Sequence, residues 1–256
     1  MKSKKIFLIT AGVIMIMLGL CVYVYPAYNT WNTDRNMRRQ MEAFQARNEA
    51  AIQKENNTGD STNSNEETAE ARPLEELYSL LEQYNLSLYQ EGQKITDPFF
   101  YEAPVLDLSP YGLKDNLFGF IEIPKMDITL GIYLGATKEN MALGAVHLTQ
   151  TSMPIGGINT NAVIAAHRGT RSHGDMFRQI QKLEQGDTVK ITNPWETLEY
   201  EVVETEIILP TDLERIRIFE DRDMVTLVTC HPYGNNTHRY LVYCERVDGS
   251  EVGKGE

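Results

Sequence analysis

Met224-Val225-Thr226-Leu227-Val228-Thr229-Cys230 and Arg239-Tyr240-Leu241-Val242-Tyr243-Cys244-Glu245-Arg246-Val247 are runs of β-branched and aromatic residues, the composition of strands on a pleated, half-buried surface. The stretch between them, His231-Pro232-Tyr233-Gly234-Asn235-Asn236-Thr237-His238, is turn chemistry. An antiparallel pair joined there sets Cys230 about opposite Arg239, and directly opposed residues project to the same face. A guanidinium beside a cysteine favours the thiolate, which is the nucleophile, over a thiol whose free pKa is about 8.5. A lone cysteine is otherwise a small buried hydrophobe, so a reactive reading needs a partner for proton transfer.

That partner lies upstream. Ala162-Val163-Ile164-Ala165-Ala166 is a short apolar run between Gly156-Gly157 and Gly169, the pattern of a buried strand, and His167 stands at its exit. A histidine at a strand end beside a glycine-containing turn reaches into a cleft and exchanges protons near neutral pH. Alone it reads equally as a loop histidine bonded to a carbonyl; paired with an activated cysteine it reads as the acid and base.

Four motifs then carry a resemblance: Thr-Leu-Val-Thr-Cys at 226–230, Ala-His-Arg-Gly at 166–169, Pro-Tyr-Gly-Asn-Asn-Thr-His-Arg at 232–239 and His-Leu-Thr-Gln-Thr-Ser-Met-Pro-Ile-Gly-Gly at 147–157. Over roughly 113–247 the chain resembles the sortases, cysteine transpeptidases that attach proteins to the Gram-positive surface, and in particular the pilus-assembling class C group. By that likeness Cys230 is the nucleophile, His167 the general acid and base, and Arg239 the group that positions substrate and stabilises the oxyanion. The resemblance implies cleavage of a Leu-Pro-x-Thr-Gly-like sorting signal, a thioester on Cys230, and transfer to an amine, either a pilin lysine or a peptidoglycan cross-bridge. A hydrolytic cysteine protease and a non-catalytic surface-binding domain are the rival readings. The chemistry agrees on independent grounds: thiolate attack on a carbonyl builds an oxyanion, and a fixed, always-protonated guanidinium supplies donors where that charge develops.

Asp97-Pro98-Phe99 matches, by the same likeness, a lid ahead of the barrel. Asp97 is expected to pair with Arg239 and Phe99 to pack on the Cys230 sulfur, while Pro98 keeps Asp97 extended. Taken alone, Asp-Pro is an ordinary turn.

No cofactor motif is present. His231 and His238 near Cys230 lack a fourth ligand at zinc-motif spacing, so no metal is expected. His147 and His173 read as loop or surface histidines, and Trp195 as a turn aromatic packed on the domain. Cys21 lies in an apolar segment; Cys244, five residues along the strand from Arg239, is about 16 Å from the Cys230 end and faces the opposite side, which argues against a disulfide.

Lys2, Lys4 and Lys5 precede Ile6–Tyr25, 20 residues without charge, enough helix to span about 30 Å. Those lysines predict a cytoplasmic amino end and an extracytoplasmic catalytic part. The length of the run, with no clear Ala-x-Ala site, favours a retained anchor over a cleaved signal. The expected organisation is a tail over 1–5, a transmembrane anchor over 6–25, a juxtamembrane helix and linker over 26–73, an N-terminal helix and lid over 74–112, a catalytic barrel over 113–248 and a tail over 249–256. Within the third unit, Asn32–Glu55 reads as a polar, solvated helix, its Arg35, Arg38, Arg39 and Arg47 able to meet anionic headgroups, and Asn56–Ala71 as a flexible tether. Pro73 opens a short helix with Leu74, Leu77, Leu81 and Tyr84 on one face, which should dock on the domain.

Phe118–Ile123, Ile128–Leu134, Asn161–Ala166, Asp187–Thr192, Leu198–Leu209, Met224–Cys230 and Arg239–Val247 are the strand candidates, with a short helix near Asp175–Leu183. Closely spaced strands with turn signals make a mainly β domain, a sandwich or closed barrel, and the resemblance implies the closed eight-stranded sortase barrel. It also implies a second hydrophobic helix after the barrel, and Asp248–Glu256 is not apolar enough to be one. A net charge of −12 disfavours nucleic acid as a partner.

Overall fold

The computed structural model describes residues 2–58, 73–93, 95, 106–169 and 176–247. Eight strands close into a barrel: β1 (Leu117–Ile123), β2 (Ile128–Leu134), β3 (Ala145–His147), β4 (Thr160–Ala165), β5 (Thr188–Thr192), β6 (Thr197–Ile208), β7 (Asp223–His231) and β8 (His238–Arg246), in the spatial order β1-β2-β3-β4-β7-β8-β6-β5. The seven expected strands are present with no end shifted by more than one residue. β3 is the eighth. It pairs parallel with β2 and antiparallel with β4, while β4 runs parallel to β7.

Period-2 alternation divides the apolar residues between two layers. Ile121, Ile123, Ile132, Val189, Ile191, Val225, Leu227 and Val242 fill the barrel. Val163, Ala165, Val228 and Leu241 face outward into a second cluster, roofed by Ile208 and Ile216. β4 and β7 are thus buried on both faces, which is why they read as near-continuous apolar runs.

The helix expected at Asp175–Leu183 is instead a 3-10 turn at Ile180–Lys182. Phe177, Ile180 and Leu183 are all buried in the barrel, and a repeat of three suits a 3-10 turn, where residues i and i+3 eclipse, better than an α-helix. A short helix α3 (Lys138–Leu143), not expected, leads into β3; the Thr137 hydroxyl caps it by accepting from the Asn140 amide at 3.1 Å.

Two longer helices pack outside. In α2 (Pro73–Glu91), Leu74, Leu77 and Leu81 are buried against Phe118 and Phe120 of β1, each contributing about 1.5–3 kcal/mol of apolar burial. Asn85 fastens the helix to the loop before β4: its Nδ2 donates to the Met153 carbonyl at 3.3 Å and its Oδ1 accepts from the Met153 amide at 2.7 Å. Trp195 packs edge-on against Tyr78 at 5.0 Å, as a turn aromatic should. Helix α1 (Lys2–Thr58) departs from the solvated reading, because Phe44 is buried and meets the Phe120 ring edge-on at 5.5 Å, while Arg38 pairs with Asp127 at 3.0 Å. The lid residues Asp97, Pro98 and Phe99, His173, the tail from Asp248 and all but the first three residues of the Asn56–Ala71 tether lie outside the described residues.

Among the described residues no helix is long and apolar enough to cross a membrane. The side chains of residues 6–11, the start of the expected anchor, are not among those described.

His147 overturns its surface reading. It ends β3 at 1% exposure, with Nε2 2.9 Å from the Ser152 carbonyl and 3.1 Å from the Thr151 hydroxyl. The strand carries it inside because the Thr151–Ser152 loop supplies the partners its ring needs. Burial holds its pKa down at about 4, against which the two neighbouring hydrogen bonds only partly act. The unfolded chain therefore takes up this proton near pH 6.5 and the folded chain only near pH 4. Stability is undiminished above that window and falls as pH drops through it, by about 3 kcal/mol in all. His147→Gln, which keeps a donor for Ser152, is expected to flatten the acid dependence of the melting temperature between those pH values. Identical slopes in variant and wild type would show that His147 does not titrate there.

Candidate active site

Cys230 and Arg239 are direct partners in the antiparallel β7–β8 register. Their strand neighbours on the same face, Val228 and Leu241, belong to the outer apolar layer, so thiol and guanidinium both emerge on the outside of the barrel, at one end. β4 reaches the same place from the other side. Ala165 pairs with Val228 in parallel register and the Ala166 amide donates to the Val228 carbonyl at 3.2 Å. Carried on by two residues, that pairing sets His167 level with Cys230 and on the outward face of Val163 and Ala165.

The three expected site residues are thus brought to one face, with Arg239 buried and His167 and Cys230 half-buried. Each is held by its backbone surroundings. The buried Thr229 hydroxyl donates to the Ala166 carbonyl at 2.8 Å, tying the end of β7 to the exit of β4. The His167 carbonyl accepts from the Phe177 amide at 2.9 Å, and Phe177 is locked in the barrel core. Arg239 Nη1 donates to the carbonyls of Asn236 and His238 at 3.2 and 3.1 Å. The Asn236 carbonyl sits in a tight turn, where the Asn235 and Asn236 amides both donate to Pro232 and Asn236 adopts the left-handed φ of 58° that asparagine tolerates, and the His238 carbonyl opens β8.

The other candidates separate cleanly. Cys244 is fully buried among the residues filling the barrel, and burial pushes its thiol well up. None of Cys21, Cys230 and Cys244 is in a disulfide. His238 approaches the Thr237 hydroxyl at 2.9 Å. His231 packs on the Tyr240 ring at 5.8 Å, and burial, followed by the charges of Arg168 and His238, lowers its pKa. Among the described residues no three His, Cys, Asp or Glu side chains are grouped to hold a metal ion. Arg168, quoted in the Ala-His-Arg-Gly motif without a role of its own, is buried and touches the ring of His231. The sequence signal was its place between His167 and a glycine, but its partners come from β7 and the 3-10 turn, distant in sequence.

A chemical reading follows from the arrangement: a half-exposed thiol beside a fixed guanidinium, with an imidazole level with it, suits nucleophilic attack on an acyl carbon and proton transfer to a leaving group. The Sortase domain model matches residues 121–247, almost the whole barrel. Sortase D of Bacillus subtilis (strain 168) is 30% identical over 132 residues, covering 50% of this chain and 63% of that protein. Among solved structures, the Group B Streptococcus Pilus Island 1 Sortase C2 superposes with a TM-score of 0.63 at 32% identity, over 70% of this chain and 99% of that one. The Sortase C of Streptococcus pneumoniae does so with a TM-score of 0.62 at 32% identity, over 69% and 88%.

Proposed function

The chain belongs to the sortase family of cysteine transpeptidases, and we propose that it is a membrane-anchored class C member that joins pilin subunits. The carrying observation is the β7–β8 register that opposes Cys230 and Arg239, with β4, whose exit leads into His167, running parallel beside β7. In the proposed reaction the Cys230 thiolate attacks the Thr–Gly carbonyl of a Leu-Pro-x-Thr-Gly-like sorting signal. Arg239 donates to the resulting oxyanion, and protonated His167 gives its proton to the leaving glycine amine. The thioester then meets a pilin lysine; His167 takes the incoming amine's proton as the new amide forms and the thiolate departs. The pilus-related names of the similar structures favour this acceptor over a cross-bridge amine.

Anchoring through Ile6–Tyr25 belongs to the same proposal. Ile14, Met15, Ile16, Met17, Leu20, Tyr23 and Val24 are exposed on α1, and a helix with apolar side chains uncovered on several sides is matched to lipid. Further along, Phe44 and Arg38 fasten α1 to the barrel, which would hold the catalytic unit, taken as 113–248, beside the outer membrane surface.

The test is to incubate the full chain with a sorting-signal peptide and look for an acyl adduct on Cys230 by mass spectrometry, then add either purified pilin or a cross-bridge peptide. A covalent ladder with pilin supports polymerisation, and transfer to the cross-bridge peptide alone marks a wall-anchoring enzyme. No adduct at all leaves a binding domain.

The lid reading of Asp97, Pro98 and Phe99 completes the proposal. Its approach is fixed at the layer beneath the site: Ile95 packs on the cluster that holds Val228 and Leu241, and Gln93 Oε1 accepts from the Ile218 amide at 2.7 Å while its carbonyl accepts from Arg217 at 3.1 Å. A closed state favoured by about 1–2 kcal/mol leaves the thiol accessible only about 5–30-fold less often than an open one. Replacing Asp97 and Phe99 together by alanine is expected to speed alkylation of Cys230 about ten-fold at fixed pH. Equal rates would reduce the segment to a simple turn.

A further inference from the structure

Arg168 follows His167 directly, and its guanidinium lies on the other side of the sheet, in the mouth of the barrel. Nη1 is 3.3 Å from Nδ1 of His231, the residue after Cys230, and Nη2 donates to Gln181 Oε1 at 2.7 Å and to the Arg178 carbonyl at 3.4 Å. The His231 ring rests in turn on Tyr240, which faces the barrel interior. One side chain therefore ties together the exit of β4, the 3-10 turn and the last residue of β7, directly behind the thiol.

Each of these partners is neutral. Burial and then the charge of Arg168 itself lower the His231 pKa, and against a guanidinium, which only donates, Nδ1 is the acceptor. Arg168 is only 8% exposed, its guanidinium stays protonated in a protein, and a buried cation is costly without a counter-charge. Among the described residues no carboxylate contacts it. Burial lowers its pKa, and the groups whose charge opposes that are Tyr240, Cys230 and Tyr233. Of these three, Cys230 is the nucleophile of the proposed reaction, and it is the thiolate that attacks.

We propose that Arg168 is a positioning residue and a second cation of the site, anchored behind Cys230 so that its charge favours the thiolate and sets the pH at which the nucleophile forms. The coupling is reciprocal: a thiolate that stabilises the cation is stabilised by it to the same extent. Among the described residues, the other charged or titratable groups around the pair are His167 from the exit of β4, His231 from β7, His238, Arg239 and Tyr240 from β8, Tyr233 from the turn, and Arg178 before the 3-10 turn. Arg178 is itself engaged, its guanidinium over the Tyr233 ring at 5.7 Å. None of these described groups is a carboxylate; the carboxylate that the lid reading brings to this end is Asp97, and its expected partner is Arg239, not Arg168. The proposal rests on Cys230 being the nucleophile of the reaction proposed above.

The test is the pH profile of Cys230 alkylation by iodoacetamide in the full chain, with the Cys230 peptide quantified by mass spectrometry and added glutathione as internal reference. Arg168→Gln is expected to raise the Cys230 midpoint by about half a unit to one unit, a three- to ten-fold slower reaction at pH 7, with the glutathione profile unchanged. Arg168→Lys, which keeps the charge and loses the fork, should stay near the wild-type midpoint. A Lys variant shifted as far as Gln would overturn the proposal, since loss of shape alone would then explain both. An unmoved midpoint in a Gln variant of wild-type melting temperature overturns it equally. If Arg168→Gln does not fold, Gln181→Glu decides: Gln181 is exposed, and a carboxylate there neutralises the same guanidinium, so the midpoint must rise and an unmoved one rejects the role. Alkylation needs no sorting peptide. A chain that never forms a thioester still yields these midpoints, so the two readings fail separately.

Discussion

Cys230→Ala is expected to abolish the acyl adduct with a sorting-signal peptide, lowering cleavage by roughly 10⁴-fold or more, because the nucleophile divides one difficult acyl transfer into two easier ones and nothing replaces it. The other two thiols are poor substitutes on structural grounds. Cys244 is buried in the barrel with its thiol pushed up, far from the ionised form that attacks, and Cys21 lies on α1 in the stretch proposed to enter the membrane. The fold should tolerate the change. Cys230 is half-buried at a strand end, so the variant is expected to lose no more than about 1 kcal/mol of stability and to keep its affinity for the peptide. Intact protein mass after incubation with peptide checks the chemistry, and thermal melting checks the fold. A Cys230→Ala chain that still acquires the acyl mass would place the nucleophile elsewhere and remove the transpeptidase mechanism described here.

The same residues show what was legible in the sequence. Opposition of Cys230 and Arg239 follows from counting along two β-rich runs joined by an eight-residue turn segment, because side-chain direction in a strand has a period of two. The level of His167 is a different matter. It depends on the parallel pairing of β4 with β7, partners separated by a long stretch of chain, and local composition carries no information on such a pairing; only the resemblance supplied it. β3 was missed because three residues are too short to show a period, and with it went the burial of His147, whose partners Thr151 and Ser152 look like ordinary loop polar groups. The docking of α1 was readable in principle. Met37, Met41 and Phe44 fall at i, i+4 and i+7, an apolar stripe, and all three pack into the cluster shared with α2; the surrounding arginines and glutamates hid it. Arg168 has no role legible in its motif, because its three partners are assembled only when the chain folds.

Arg239→Lys is expected to lower turnover by about 10²- to 10³-fold, equivalent to about 2.7–4 kcal/mol of transition-state stabilisation, although the charge is conserved. The reason lies in the division of labour within the fork. Nη1 is held by the Asn236 and His238 carbonyls, which fixes the guanidinium plane beside Cys230, and a planar group tethered at one nitrogen still presents donors of fixed direction along its other edge. An ammonium carries all its donors on one rotating atom, so holding the turn and meeting the oxyanion compete. The oxyanion exists only after attack, so the loss should fall on kcat and kcat/KM alike and leave peptide affinity nearly unchanged. If Arg239 instead serves ground-state binding, KM rises while kcat holds. Measuring both constants for cleavage of one sorting-signal peptide separates the two cases. Near-wild-type values of both in the lysine variant would take Arg239 out of the mechanism and leave stabilisation of the oxyanion to other donors at the barrel end.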